Sequence, residues 1–468
     1  MTATLYWVRK DFRLSDNAGL LSALDAGSPV IPVCILDEVV ETYGTAPKWR
    51  WGEAARVFVD TLKAKKSNLV LRRGNALEVL RDLIAETGAT RVVWGRQYDR
   101  AAKDRDTAVK AALKADGIEA LSVRNHLLFE PWQIETKTGG PYRVYTPFKN
   151  ACLTRDHFAE THAAPAKLNP PKAWPKSERL EDWQLGHGMN RGAKVVSHYA
   201  AIGESAAQER LDVFLDKLAD YSIARDTPSV VGTSRLSENL AWGEISPATI
   251  WSAVRNSPGA TTDGAKVYLS EILWREFAYH LTHHYPHIGD SNWRDQWDDF
   301  PWQADNADAE VWRRGMTGLP FVDAAMRELY TTGTMHNRLR MLTASALTKH
   351  LMTDWRVGEK WFADCLLDWD PASNAMGWQW AAGSGPDASP FFRIFNPETQ
   401  REKFDRQGRY VENWLAEKSL KISEDAERFF EAIPRSWGMS PNQTYPNPIV
   451  DLKAGRERAL AAYKELRA

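Results

Sequence analysis

Between Asp368 and Pro397 the chain reads DWDPASNAMGWQWAAGSGPDASPFFRIFNP, which sets Trp369, Trp378 and Trp380 beside the carboxylates of Asp368 and Asp370 and the amide of Asn374. Glycine and proline punctuate the backbone there, and an arginine, Arg393, sits among phenylalanines. Three other stretches carry residue types with chemical use. GTSRLSENLAWGEISP, Gly232 to Pro247, brings Gly, Thr, Ser and Arg to the start of a helix, where free N–H groups, hydroxyls and a guanidinium suit phosphate. A plain Ser/Thr N-cap explains the same pattern. YLSEILWREFAYHL puts Glu271, Trp274 and Ala278 on one helix face, either as a site or as a snorkelling surface pair, with Arg275 and Glu276 as an adjacent ion pair. MHNRLRM reads as a helix start with Asn337 and Met341 on one face and Arg338 beside them. His336 has no ligand partner at helical spacing, so no metal site is expected. No G-x-S-x-G or Cys/His pairing suggests a hydrolase.

The elements that must hold these residues fall into two kinds. TLYWV, PVIPVCIL, NLVLRRG and TRVVWGR read as strands, separated by the helical DNAGLLSALDAG and NALEVLRDLIAETG and followed by RAAKDRDTAVKAALKADG. That alternation predicts a doubly wound parallel sheet in an α/β domain over residues 1–130. The first strand lacks a following G-x-G-x-x-G, which argues against a Rossmann dinucleotide site. Residues 131–190, with the Pro- and charge-rich APAKLNPPKAWPKSERLEDWQ, read as an interdomain linker. Residues 191–468 read as all-α, with apolar residues at i, i+3 and i+4 in ESAAQERLDVFLDKLADYS, YLSEILWREFAYHLTHH, FVDAAMRELYTTG, NRLRMLTASALTKHLM and VGEKWFADCLLD.

Composition narrows the classes. The 468 residues are 43% hydrophobic and 26% charged, as in an ordinary globular protein of two or three domains. No run approaches the roughly 18 apolar residues of a membrane span, and the N-terminus lacks a signal layout, so a cytoplasmic protein is expected. Cys34, Cys152 and Cys365 are too few and too scattered for a disulfide framework. A net charge of −1 gives no general attraction to nucleic acid, so such binding needs a local basic face. Tryptophan is the commonest aromatic: 21 residues, of which twelve lie from Trp274 to Trp437, a concentration that packing alone does not explain.

VRKDFRLSDN, GTSRLS, WREF, GLPFVDAAMREL with TGTMHNRLRM, the DWR–GEKWF segment and WQWAAGSGPDASPFFRIFNP occur in one order along nearly the whole chain. In this the sequence resembles the DNA photolyase and cryptochrome family, most closely a bacterial cyclobutane pyrimidine dimer photolyase of class I or class III. The resemblance implies an antenna-binding α/β domain, a helical domain holding FAD, and UV-damaged DNA as partner of a monomer. By motif position it implies that Asn374 faces the reactive edge of the flavin, that Asp368, paired to Arg340, and Asp370 line the ring and ribityl side, and that Tyr221, Thr233, Ser234, Leu236 and Ser237 hold the diphosphate. It implies an electron relay of Trp378, Trp355 and Trp302, because indole is readily oxidised by one electron where phenylalanine is not. The flipped dimer would lie between Trp274 and Trp380, hydrogen-bonded by Glu271, with Asn337 and Met341 completing the pocket, since chemistry on a stacked base requires taking it out of the duplex. Arg225, Arg338, Arg393 and Lys403 would meet the DNA backbone.

The implied reaction is light-driven: excited reduced FAD donates an electron, the dimer splits, and the electron returns. A (6-4) photolyase would carry a histidine pair where this chain has His336 and Asn337, and a plant-type signalling cryptochrome would have aspartate at Asn374. For the antenna, the resemblance implies methenyltetrahydrofolate, with 8-hydroxy-5-deazaflavin as the alternative. Trp51 is a candidate stacking platform for it, or a buried packing residue.

Overall fold

A computed structural model describes residues 2–155, 160–387 and 392–467. The first part is a five-stranded parallel sheet of β1 (Thr4–Val8), β2 (Val30–Leu36), β3 (Val70–Arg73), β4 (Arg91–Gly95) and β5 (Glu119–Val123), ordered β3-β2-β1-β4-β5. β1 is wholly buried and central, with Trp7 paired to Val33 on one side and Trp94 on the other. Its side chains alternate between two cores: Leu5 and Trp7 face one, Tyr6 and Val8 the other. Burial on both faces is why the first strands read as continuous apolar runs. β5, sequence EALSV, has little apolar signal because it is the sheet's edge, half-exposed at Leu121 to Val123. It is an addition to the strands expected from sequence.

In sheets of this kind ligands favour the crevice where the strand order reverses, here the C-terminal ends of β1 and β4. Side chains fill it. Arg105 bridges Asp37 (2.8 Å) and Asp106 (2.9 Å), Arg9 bonds Asp106 (2.7 Å) and the Gly95 carbonyl, and both guanidinium groups lie over Trp7 at 4.9 and 4.4 Å. Thr45–Ala64, which carries no helix expectation from sequence, is a 20-residue helix. Trp51 lies on it, 1% exposed, stacked on Trp183 at 6.0 Å with its Nε1 donating to the Arg9 carbonyl. That settles Trp51 as a packing residue and removes it as a platform for a chromophore.

Within residues 131–190 the segment Tyr145–Leu153 is helical and packs on the long helix Asp263–His284 through Phe148 and Phe277, 5.2 Å apart. From Glu204 onward the described residues contain helices and turns, with an isolated bridge from Gln303 to Thr353. Most begin on a side chain that accepts an N–H: Thr262, His336, Asp354, Asp370 and Asn396 do so for the helices that matter to the site. The stretch NRLRMLTASALTKHLM changes pitch midway. It is α-helical over Asn337–Ser345 and π-helical over Ala346–His350, with Leu351 N–H donating to Ala346. The change buries Lys349 and His350 on the side of the last helix, where Arg458 donates to the His350 carbonyl at 2.5 Å.

The two parts meet tightly. Lys10, 7% exposed, sits among Tyr43, Trp242 and Trp369 at 5.3, 5.4 and 5.3 Å, a cage built from both. Gly243, at φ +65°, lets its backbone lie against Lys10; a Cβ there would be 2.0 Å from the Lys10 carbonyl. Arg50 is fully buried and paired with Glu238 and Glu244, each at 2.6 Å. No helix among the described residues is long and apolar enough to cross a membrane.

Candidate functional site

A cavity of about 1000 Å³ opens within the helical part, at the upper end of the range for ligand sites. One wall is Asp263–His284, capped by Thr262, whose 3.6-residue period brings Glu271 and Trp274 to the cavity. Asn337, Arg340 and Met341 come from the next wall, the helix begun by His336. A third wall is Pro371–Ala382, which contributes Asn374, Trp378 and Trp380. Tyr221, Thr233, Ser234, Leu236 and Ser237 close one end.

The floor is buried and polar. Asp368 is 7% and Asn374 8% exposed. Arg340 grips Asp368 through two bonds of 2.8 and 3.1 Å and the Met335 carbonyl at 2.8 Å. Asp370 caps its helix by accepting the Ser373 N–H at 2.8 Å and takes the Tyr279 hydroxyl at 2.5 Å. Asn374 donates to Glu359, to its Oε1 at 2.8 Å and its carbonyl at 3.1 Å. Burial pushes Glu359 up to about 7 against the lowering effect of Asn374, and burial likewise pushes Glu328, also on the cavity wall, to about 7. The rim is more open: Trp274, Met341 and Trp380 are half-exposed, Asn337 is exposed, and Glu271 keeps 34% of its side chain in contact with solvent.

The phosphate-like segment differs from its sequence reading in one respect. The helix it opens, Ser237–Ala241, has five residues, and its N-cap is Leu236 with no side-chain cap. So short a helix brings little dipole. What fixes the loop is Ser234, which takes the Tyr268 hydroxyl at 3.0 Å and the Leu236 N–H at 3.3 Å, and the buried Glu238 next to it.

Trp378 is buried against Phe362 (4.9 Å) and Trp312 (6.1 Å), and its ring fills the space over Gly358, where a Cβ would stand 2.1 Å from it. Gly358 is one turn from Trp355, whose Nε1 donates to Asn292 at 2.8 Å. The bridge between Gln303 and Thr353 ties the segment before Trp355 to the one carrying Trp302. Trp302 donates to the Thr348 carbonyl at 3.1 Å and stacks on Trp297 at 5.5 Å, and Trp297 stacks on Tyr463 at 5.9 Å. Trp355 and Trp302 lie off the cavity, as do Arg338, Arg393 and Lys403. Arg338 and Lys403 share the Phe404 ring at 3.7 and 5.0 Å, while Arg393 is exposed beside Phe395 at 6.0 Å. Neither Arg225 nor Arg338 is unpaired: Arg225 bonds Glu271 and Arg338 bonds Asp226, both at 2.5 Å. Residues 388–391 of the stretch ending in Pro397 lie outside the described residues.

Some contributors are absent from the sequence reading. Tyr145 stacks on Trp274 at 3.6 Å and 10°, bracing it from behind, and its hydroxyl donates to the Ser270 carbonyl at 2.6 Å. Its signal was the short apolar period of VYTPFKNACL, obscured by the proline-rich segment that follows. Glu359, Glu328 and Tyr279 act from other helices, and no spacing in sequence connects them to Asn374 or Asp370.

The lining chemistry fits a long, two-ended cofactor: hydroxyls with Arg210 and Arg235 at one end, and a buried amide, carboxylates and indole at the other. The comparisons agree. Residues 268–465 match the model of the FAD binding domain of DNA photolyase, and residues 4–171 that of DNA photolyase. A deoxyribodipyrimidine photo-lyase of Agrobacterium fabrum is 47% identical over 98% of this chain and 97% of its own length. That of Escherichia coli is 35% identical over 100% and 99%. The crystal structure of a class III photolyase from Agrobacterium tumefaciens superposes with a TM-score of 0.91 at 46% identity, covering 100% of this chain and 98% of that one. With its parallel sheet, its helical FAD-binding part and this cavity, the chain belongs to the DNA photolyase and cryptochrome family.

Proposed function

We propose that the protein is a deoxyribodipyrimidine photolyase that repairs cyclobutane pyrimidine dimers in DNA with blue light. One observation carries this reading: a single cavity joins a buried polar floor around Asp368 and Asn374 to a half-exposed rim of Glu271, Trp274, Met341 and Trp380. A cofactor fits on the floor, and a flipped pyrimidine dimer fits in the rim. Bound and reduced, FAD supplies an electron to the dimer on excitation. Arg340, set by Asp368, and Asn374, set by Glu359, hold the ring end, while Tyr221, Thr233, Ser234, Leu236 and Ser237 hold the diphosphate end. Trp274, braced by Tyr145, and Trp380 enclose the dimer and keep water from it. Glu271 donates or accepts at the pyrimidine edge and answers the charge that develops there. Asn337 and Met341 complete the enclosure. Arg225, Arg338, Arg393 and Lys403 engage phosphates.

In this reading residues 1–130 carry an antenna, methenyltetrahydrofolate, residues 131–190 join the parts, and residues 191–468 form the catalytic domain of a protein that works as a monomer. 8-hydroxy-5-deazaflavin is the alternative antenna. The decisive experiment is blue-light repair of an oligonucleotide with one thymine dimer by the FAD-loaded, reduced protein. Restoration of intact thymines in the light and none in the dark is expected. Flavin binding without repair would reject the assignment in favour of a photoreceptor.

A further inference from the structure

Residues 225 and 226 are consecutive and reach two different helices, one pairing at the cavity and the other beside it. Arg225 crosses to Glu271 on one helix, and Asp226 crosses to Arg338 on another. The turn that presents them is set by its own backbone: Asp226 N–H donates to Ile223, Thr227 to Ala224 and Val230 to Thr227, at 3.2, 3.2 and 3.1 Å. Gly232 closes it so tightly that a Cβ would stand 2.6 Å from the Ala224 carbonyl. The Asp226 carboxylate is therefore placed in advance.

Its partner is built to change hands. The Arg338 guanidinium lies on the Phe404 ring at 3.7 Å and meets Asp226 through one N–H on one carboxylate oxygen, its Nε left without a partner. The Asp226 side chain is 45% exposed, so the ion pair is worth little enough for another anion to displace it. A carboxylate and a phosphate offer the same two-oxygen geometry to arginine.

We propose that Asp226 is a built-in stand-in for a DNA phosphate. It holds Arg338 while no DNA is bound, yields it to the backbone of the damaged strand, and reclaims it as the repaired strand leaves. It is a release-determining residue, outside the machinery that touches flavin or dimer. This rests on the reading of Arg338 as a DNA contact.

The test uses the FAD-loaded protein and 20-mer duplexes with and without one thymine dimer, in four forms: wild type, Asp226→Asn, Arg338→Ala and the double variant. Asp226→Asn should tighten binding to both duplexes by roughly two- to fivefold, the scale of an exposed ion pair. Multiple-turnover repair under saturating light should slow, while repair per absorbed photon in a single turnover stays as in wild type. In the Arg338→Ala background the same Asn substitution should change nothing. Equal tightening in both backgrounds would reduce Asp226 to a general charge effect and overturn the proposal. Unaltered binding by Asp226→Asn, with Arg338→Ala weakened, overturns it while leaving Arg338 on the DNA face. Unaltered binding by Arg338→Ala removes Arg338 from that face and the proposal with it.

Discussion

Among the described residues the Asn374 side-chain amide donates only to Glu359, an ionisable group. Glu359 is raised to about 7 by burial, above the ordinary carboxyl range, so its stabilising contribution is complete below pH 4.5 and is lost as pH rises through 7. Glu359→Gln keeps the acceptor for the Asn374 amide and removes the titration. The melting temperature of wild type should therefore decline relative to Glu359→Gln between pH 5 and 8, measured as parallel thermal scans; coincident profiles would show that the carboxyl does not titrate in this range. Glu271 makes a second residue-level prediction. Truncating it to Ala removes the group proposed to act on charge formed during repair, and it frees Arg225 for a phosphate. Repair yield per absorbed photon should fall by more than tenfold while dimer affinity holds within a few-fold. Affinity collapse at full yield would make Glu271 a binding residue only.

Among elements, the π-helical turn at Ala346–His350 and the Gln303–Thr353 bridge position Trp302 and Trp355, the outer members of the proposed relay. Thr348 accepts the Trp302 indole and Thr353 precedes Trp355 by two residues, so the two tryptophans are held by one short connection. Trp302→Phe should leave flavin content intact, since phenylalanine fills most of the half-buried space and loses one hydrogen bond. The rate at which bound oxidised flavin is reduced in blue light should fall at least tenfold, while repair by chemically pre-reduced protein persists. An undiminished rate would make Trp302 a packing residue, or would move the exit to Trp297. Much of this was legible in the sequence. The strands buried on both faces announce themselves, and so do the helices around Glu271 and Asn337 through their apolar residues at i, i+3 and i+4, although Asp263–His284 is buried all round in its second half. β5 and the Tyr145 helix were not legible: an edge strand and a short helix gain their burial from partners distant in sequence. The same applies to Glu359 and Asn374, fifteen residues apart on two helices. Trp51 shows the limit from the other side, since residue type alone does not distinguish a platform from a core ring.

At the level of the whole molecule the interface between the two parts is polar at its centre. Arg50, from the helix Thr45–Ala64, pairs with Glu238 and Glu244, Arg210 adds a second cation at Glu238, and Glu238 follows directly on Ser237 of the proposed diphosphate loop. Arg50→Ala would leave the buried Glu244 without its cationic partner and Glu238 with Arg210 alone, at a cost of about 3–5 kcal/mol. Thermal stability and retention of FAD through gel filtration should drop together. Lowered stability with full cofactor retention would separate the ion cluster from the site. Lys10, caged by aromatics from both parts, makes the same seam a continuous one. The far end of the molecule is joined to the site as well, through the last helix, Leu452–Leu466: Tyr463 stacks on Trp297 and on Phe392, and Trp297 stacks on Trp302. A spin label at the exposed Lys464 would stand beside this aromatic column and would report a radical formed on Trp297 or Trp302 under blue light, as the proposed relay requires.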